Sequence, residues 1–415
     1  SREEIKEIVQ QIRKIMHYMD VQYGIDNPIF LDFKEDRAYL GKVILPWMIK
    51  YAITAPKIAA LNEPVVDFLR KITQNQSLLD IISQHFFHAT PAFFALSYLK
   101  LYIDYHYPLG GTGIFPAKLV SFIEDHHGEI RTNTKINSLD PTKKVLTDEK
   151  GNLLEFERLI WAADLKTLYK ILSPADVPDN KVSQSITTRQ EELRGKNGND
   201  SVYSLFLGLD LPKEYFSRIA TEHFFYTPSK AGQTQAGEMP STAERESVKE
   251  WLDNYFALTT YEISCPVLRD PAMAPANKTG LIVSVLFDYQ LTKAIELAGW
   301  YEEFKSYCES KMIETLDGSI YPGLSDAIIH QFSSTPLTIE SYSGNFQGAI
   351  TGWALDNDPI PAESRIPKIM NAVRTPIPGI YQAGQWTYSP SGLPISLLTG
   401  KIAADQVIKD LRKRK

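Results

Sequence analysis

The groups best placed for ligand chemistry lie in residues 379–411, GIYQAGQWTYSPSGLPISLLTGKIAADQVIKDL, and they are backbone groups. A short strand, 379–383, leads into a turn carrying Gly384, Pro390 and Gly392. Pro394 then opens a long helix, from Ile395 to about Lys409. Proline suits a first helical turn because its missing N–H would have no partner there. That turn offers free N–H groups and partial positive charge, a seat for phosphate or another anion. Nothing in 393–396 is charged, so a ligand there would meet backbone rather than a salt bridge. Gly400, Ala403 and Ala404 let the helix lie close to a sheet or a flat ligand. The same pattern also describes an ordinary strand–helix unit.

Side-chain chemistry is sparse. No Ser/His/Asp or Cys/His set suggests a nucleophile, and no pair of carboxylates at fixed spacing suggests acid–base cleavage. Cys265 and Cys308 form neither a disulfide framework nor a metal-ligand spacing, so no metal is expected. His126 and His127 end a helix and read as C-terminal capping groups.

Two further glycine-rich stretches stand out. In 107–139, YPLGGTGIFPAKLVSFIEDHHGEIRTNTKINSL, a turn at Gly110, Gly111 and Gly113 precedes a helix begun by Pro116. Leu119, Val120 and Ile123 share one side of it, and Gly128 is expected to end it as a left-handed residue. Such a turn can cradle phosphate, but no Lys-Ser/Thr follows, which excludes a P-loop. Taken by itself, a tight packing turn is the better explanation. In 335–353, TPLTIESYSGNFQGAITGW, Gly344, Gly348 and Gly352 recur every four residues after a helical turn capped by Thr338. That spacing is no nucleotide fingerprint, and a glycine-rich connector accounts for it. The dinucleotide pattern G-x-G-x-x-G occurs nowhere in these residues.

Around these stretches, residues 1–23 show helical spacing of Ile5, Val9, Ile12, Ile15, Met16 and Met19. Helices 41–55, 64–72 and 76–87 follow, broken at Pro46, Pro56 and Pro64. The segment 91–105 is dense in aromatics, Phe93, Phe94, Tyr98, Tyr102 and Tyr105, fitting a core helix or the wall of an apolar pocket. Strands are expected at 129–132, 135–139, 144–148, 154–156 and 158–163, then helices over 164–195 with a break at 174–178. Further strands fall at 201–209, 222–226, 260–264, 280–288 and 330–335, suggesting one antiparallel sheet, with a long helix at 296–316. The polar stretch 229–244 reads as a mobile excursion over the surface.

The chain of 415 residues is 43% hydrophobic, enough for a large core or two domains. Its 44 Lys and Arg against 50 Asp and Glu give −6, and nothing suggests nucleic acid. No apolar run is long enough to span a bilayer. A reducing, cytoplasmic setting is expected, and the composition permits membrane association. The four basic residues at 412–415 read as a solvated helix end, with contact to anionic lipid as the alternative.

The three glycine-bearing stretches, taken in order, resemble the phytoene desaturase-like flavoproteins, a group that includes carotenoid isomerases and retinol saturases. The resemblance implies an α/β fold with an α+β substrate domain, a two-domain FAD/NAD(P)-binding flavoprotein of the amine oxidase/phytoene desaturase type. It implies a helical substrate segment over 1–105, a return to the FAD domain over 106–165, a sheet-bearing substrate domain over 166–335 and a final FAD segment over 336–415. The first Rossmann βαβ unit is expected ahead of Ser1 and is missing from these residues. FAD is the implied cofactor, held by Gly384, Gln385, Gly392, Leu393, Pro394 and Ile395, with backbone at Lys135 and Ile136 on the adenine side. Gln385 stands where the family often has Asp. The implied activity is desaturation, saturation or isomerisation of a hydrophobic isoprenoid or polyene, such as a carotenoid or retinoid, by hydride transfer. The helices at 41–55 and 91–105 could line its channel, and peripheral membrane contact would let it enter directly. No catalytic residue is identified; His330 and Glu340 are base candidates only by proximity to the third stretch. Two alternatives stay open: an amine oxidase-like flavoenzyme, and a non-enzymatic lipid-binding protein that has lost its FAD pyrophosphate site.

Overall fold

The structure is a computed structural model that describes residues 2–25, 37–101 and 106–413. Its strands form three sheets. β1 (Ile136–Asp140), β2 (Val145–Asp148) and β3 (Leu153–Glu155) make an antiparallel meander. β4 (Leu159–Trp161) follows. β5 (Ser201–Leu209), β6 (His223–Tyr226), β7 (Tyr261–Ser264), β8 (Thr279–Phe287) and β9 (Ile328–Ser334) build an antiparallel sheet in the order β6-β7-β8-β5-β9. β10 (Ile380–Gln382) returns to pair in parallel with β4.

The five-stranded sheet exists because its strands alternate. Along β8, Leu281, Val283, Val285 and Phe287 are buried while the residues between them are half-buried. This face packs on Val248, Leu252 and Phe256 of the helix Arg245–Leu258, and on Phe304, Cys308 and Met312 of the helix Tyr301–Asp317. Each such side chain contributes roughly 1.5–3 kcal/mol by leaving water. Buried hydroxyls find backbone partners: Tyr203 donates to the Lys305 carbonyl at 3.0 Å and Tyr261 to that of Phe256 at 2.6 Å. The opposite face is mixed, with Ser204 and Ser284 bonded at 2.7 Å and Phe206 stacked on Phe332 at 4.7 Å.

The helical amino-terminal part has its own core, where Ile8 and Ile15 of the helix Arg2–Tyr23 meet Leu69, Leu79 and Leu96. In the helix Ala92–Leu101 the buried residues are Ala92, Ala95, Leu96 and Ser97; Phe93 packs at the edge of that core. Tyr102 and Tyr105 lie outside the described residues.

Several expectations need correction. Pro56 does not break its helix, which runs Leu45–Ala59; residue 56 is exposed, and the carbonyl it leaves unbonded belongs to exposed Ala52. Residues 129–132 form no strand. The helix expected at 296–316 is two, Tyr289–Leu297 and Tyr301–Asp317. The left-handed residue after the helix Ile114–Asp125 is His127, at φ 61°. Gly128 instead sits where a Cβ would lie 2.5 Å from the Ile123 side chain. His126 does act as a cap, its Nδ1 lying 2.8 Å from the Phe122 carbonyl. Thr335, not Thr338, is the N-cap of Pro336–Ser343, with Thr338 completing a capping box. The polar stretch 229–244 is tied down: Asp80 accepts from Thr234 N and Thr234 Oγ1, both at 2.8 Å, and Gln84 accepts from Gln233 N at 3.0 Å. The polarity that suggested an excursion satisfies buried partners instead.

Candidate functional site

Backbone geometry builds the site. β10 lies parallel to β4 with Tyr381 opposite Ile160, and Ala383 N continues the pairing to the Trp161 carbonyl at 2.9 Å. The chain then reverses at Gly384, whose φ of +95° favours glycine. Gly384 N donates to Thr399 Oγ1 at 2.9 Å, and Thr399 Oγ1 donates to the Ile395 carbonyl at 2.8 Å. A fully buried threonine thus locks the turn to the first turns of the helix Leu393–Arg412. Ile402 and Ala403 press that helix against Tyr381 and Ala383, which is what its small residues permit.

The tip of this helix is open. Gly392 gives it no side-chain cap, Pro394 occupies the first turn, and Leu393 is 53% exposed. A Cβ on Gly392 would meet nothing nearer than Pro394 Cδ, at 3.9 Å. The structure therefore gathers Gly384, Gln385, Gly392, Leu393, Pro394 and Ile395 into one turn and helix start, with no side chain capping it among the described residues. These features fit an anionic, flat ligand seated on backbone amides.

The third glycine stretch crosses beneath this turn. Gly352, at φ +83°, runs so close that a Cβ there would lie 2.4 Å from the Gln385 carbonyl oxygen. Asn199 N donates to the Gly352 carbonyl at 2.7 Å, and Ser391 Oγ to that of Thr351 at 2.7 Å. Trp353 Nε1 donates to the Trp386 carbonyl at 2.9 Å, and the two buried indoles meet edge to face at 4.8 Å. Trp386 Nε1 donates in turn to Asn345 Oδ1 at 3.1 Å. Asp164 caps the helix Leu165–Lys170 and accepts from Phe346 N at 3.1 Å, tying the end of β4 to the same crossing.

Lys135 and Ile136 are not part of this cluster by any bond. Ile136 pairs with Asp148, and the Lys135 carbonyl accepts from Glu149 N at 2.8 Å, both within the meander. The turn at Gly110 and Gly111 is a packing turn: Gly110 N donates to Asp270 Oδ2 at 2.8 Å, and the Arg269 guanidinium lies 4.4 Å from the Tyr107 ring centroid. A carboxylate bonded there leaves no phosphate cradle.

Neither base candidate is poised. Glu340 accepts from the Tyr289 hydroxyl at 2.6 Å and from Gln347 N at 3.2 Å, a brace for the third stretch. His330 is exposed on β9 opposite Gly208. Burial pushes the Cys265 thiol up to about 12 and raises Cys308 well above the usual thiol range, so neither supplies a thiolate. Burial lowers Lys166, which donates to the Lys196 carbonyl and lies over the Phe346 ring at 3.8 Å. No group of His, Cys, Asp and Glu suited to a metal occurs among the described residues. The residues missed from sequence were Thr399 and Asn199; a polar residue one helical turn past Ile395 was the one available signal.

His85, between the helical part and the sheet, is the most perturbed histidine. Its ring lies 4.0 Å from Phe86 and 4.6 Å from Phe225, and neither nitrogen has a hydrogen-bond partner among the described residues. Burial lowers it to about 4, partly opposed by Glu262. Its folded value is depressed below 6.5, so the unfolded chain binds the proton first. Stability is then fully present above 6.5 and falls as the pH drops toward 4, by about 3 kcal/mol from this group. Urea midpoints at about pH 7 and about pH 5 should converge for His85→Phe relative to the parent; an equal drop in both proteins contradicts the assignment.

No family model matches the chain. An all-trans-retinol 13,14-reductase from Danio rerio is 23% identical over 352 residues, covering 78% of this chain and 54% of that protein. A phytoene desaturase from Phycomyces blakesleeanus is 23% identical, covering 75% and 50%. A 4,4'-diapophytoene desaturase (4,4'-diaponeurosporene-forming) from Staphylococcus haemolyticus is 22% identical, covering 75% and 57%. The chain is thus similar in sequence to phytoene and diapophytoene desaturases and to a retinol reductase. It spans about half the length of these relatives. The fold of this chain also occurs in solved structures. A putrescine oxidase redesigned in cofactor binding superposes with a TM-score of 0.57 at 10% identity, covering 98% of this chain and 75% of that one. An oxidoreductase from Methanosarcina mazei superposes with a TM-score of 0.52 at 12% identity, covering 92% and 74%. The fold is thus that of the amine oxidase type.

Proposed function

We propose that this chain is part of an FAD-dependent oxidoreductase acting on a hydrophobic isoprenoid or polyene. The observation that carries the reading is the open tip of the helix Leu393–Arg412, held by Thr399 and Gly384 and undercut by Gly352. FAD, when bound, supplies hydride exchange with a substrate carbon. Gly392, Leu393 and Ile395 would offer it backbone, Gly384 and Gln385 would line the turn, and Lys135 and Ile136 would serve the adenine side. The chain's own part is position and dryness: the Trp353–Trp386 pair and Glu340 hold the crossing stretch in place. Segments 106–165 and 336–415 form the flavin side of this reading, and 1–105 and 166–335 the substrate side.

A further strand–glycine turn–helix unit, supplied by polypeptide outside these residues, belongs to the same proposal. Two features support it. Among the described residues β4 and β10 form a parallel pair of only two strands, a type of sheet usually buried on both faces within a larger one. The helix Ile114–Asp125 buries none of its residues and leaves Leu119, Val120, Phe122 and Ile123 exposed. A cytoplasmic setting with Cys265 and Cys308 reduced completes the picture; both are free and buried.

The polyene class comes from the sequence relatives, whose names specify retinol, phytoene and diapophytoene. The amine oxidase alternative gains nothing from the site, because Trp386 is buried against Trp353 and Lys166 is engaged by backbone. The protein carrying this chain together with its completing unit should purify yellow and convert a carotene or retinoid anaerobically with bleaching or recovery of the flavin band. A colourless protein that still binds polyene would reverse the reading in favour of a lipid-binding protein.

A further inference from the structure

A carboxylate stands where the five-stranded sheet meets the turn at Gln385. The chain leading into β5 passes that turn closely: a Cβ on Gly198 would lie 3.6 Å from Trp386 Cη2 and 2.8 Å from the Ala349 side chain. Asn199 donates its N–H to the Gly352 carbonyl at 2.7 Å and its side-chain amide to Thr351 Oγ1 at 2.6 Å. Ser201 Oγ donates to the Gly348 carbonyl at 2.7 Å. Asp200, between them, is therefore fixed on both sides to the stretch that undercuts the turn, as a group acting beside a cofactor must be.

Its side chain belongs to the sheet face that the packed helices leave free. Along β5, Tyr203, Leu205 and Leu207 are buried in the core, and Val202, Ser204 and Phe206 alternate with them. Asp200 precedes Val202 in that second series. The amino-terminal helical part meets it there, where His88 N donates to Asp200 Oδ2 at 2.5 Å. One step further from the turn, Val202 pairs with Leu286 of β8, and beyond them Ser204 and Ser284 satisfy each other. A hydrocarbon lying along this face would meet little polarity until it reached Asp200.

Asp200 is half-buried. Burial holds its carboxyl above the usual carboxylate range; His88 opposes the rise, and Asp356 and Asp288 add to it. His88 and Asp356 are exposed and lie 3.3 Å apart, Nδ1 to Oδ2, so titratable groups stand between this carboxyl and solvent. A carboxyl shielded on one side and flanked by such groups on the other is suited to taking up and releasing a proton.

We propose that Asp200 is the acid–base residue of the reaction. In desaturation one carbon gives up hydride, with its bonding pair, to the flavin. The neighbouring carbon gives its proton to the Asp200 carboxylate, and the pair from that C–H bond becomes the new π bond. In saturation the direction reverses: the proton comes from the Asp200 carboxylic acid and the hydride from the reduced flavin. Atoms and electrons balance with no further reactant. The assignment rests on the function proposed above.

Asp200→Asn tests it, because asparagine keeps the shape and an oxygen for the His88 N–H but has no carboxyl proton to exchange. In the protein carrying its completing unit, flavin content should match the parent and the melting temperature at about pH 7 should be no lower. Anaerobic bleaching or recovery of the flavin band with a carotene or retinoid should slow by about 100-fold or more, and the carboxyl limb of the parent's pH–rate profile should vanish. Melting gives a readout free of turnover. The folded carboxyl keeps its proton to higher pH than the unfolded one, whose ordinary value is 3.8. The parent therefore gains stability as the pH falls through the folded value, and the variant's advantage in melting temperature should shrink between about pH 7 and about pH 4. Turnover within about threefold of the parent, or an advantage that does not change with pH, overturns the assignment and leaves the flavoenzyme reading standing. Loss of flavin or a lower melting temperature in the variant makes Asp200 a brace and overturns it likewise. A parent that carries no flavin and converts no polyene overturns the flavoenzyme reading, and the assignment falls with it.

Discussion

Gly392→Val is expected to strip flavin from the completed protein while leaving its stability nearly unchanged. The two effects separate because of where Gly392 sits. Its φ of 168° is extended backbone that valine adopts readily. A Cβ there meets only Pro394 Cδ at 3.9 Å, an ordinary contact, so no protein atom has to move. A substitution at such a position changes stability by about 0.5 kcal/mol or less. The branched side chain instead enters the space in front of the uncapped helix tip, where a cofactor's anionic or flat part would lie. We expect flavin affinity to fall by about tenfold or more, since loss of a helix-terminus contact and a steric clash add together. Flavin absorbance per protein after gel filtration, read beside the melting temperature, decides the matter. Equal flavin in variant and parent would place the cofactor elsewhere.

Trp353→Ala is expected to cost about 3–5 kcal/mol, the range for emptying a buried tryptophan site. Trp353 is only 1% exposed, and its indole N–H is the bond to the Trp386 carbonyl. Removing it opens a cavity beside Trp386 and leaves a buried acceptor without its donor. Gly352→Ala should act through the same contact, since its Cβ would press to 2.4 Å on a backbone carbonyl at a φ that already disfavours side chains. Because both residues hold the third stretch against the turn at Gln385, both variants should lose flavin together with stability, unlike Gly392→Val. Urea denaturation of all three variants provides the comparison. A Trp353→Ala protein with an unchanged midpoint would show that the crossing is not what fixes the site.

Local patterns announced most of the secondary structure. The alternation in β5 and β8 and the proline opening the last helix are properties of a few consecutive residues, and strands and helix stand at nearly the expected positions. Local patterns failed where a distant partner decided the outcome. The polar stretch around Thr234 is held by Asp80, more than a hundred residues away, so its composition could not reveal that it is anchored. The cap at Thr335 was shifted by one helical turn because two threonines compete for it and only their backbone geometry distinguishes them.

By itself, the sequence determined that a glycine- and proline-bearing turn feeds an uncharged helix start, that the interior is built from alternating apolar strands, and which family this pattern resembles. Those features depend on residue type and short spacing, which the chain carries wherever it folds. Only the tertiary structure decided that Gly352 lies against Gln385, that Thr399 locks the turn, and that the Leu45–Ala59 helix faces its apolar stripe outward. Each of these depends on which surfaces meet across long stretches of chain, and an apolar periodicity reads the same whether its face is buried or bare.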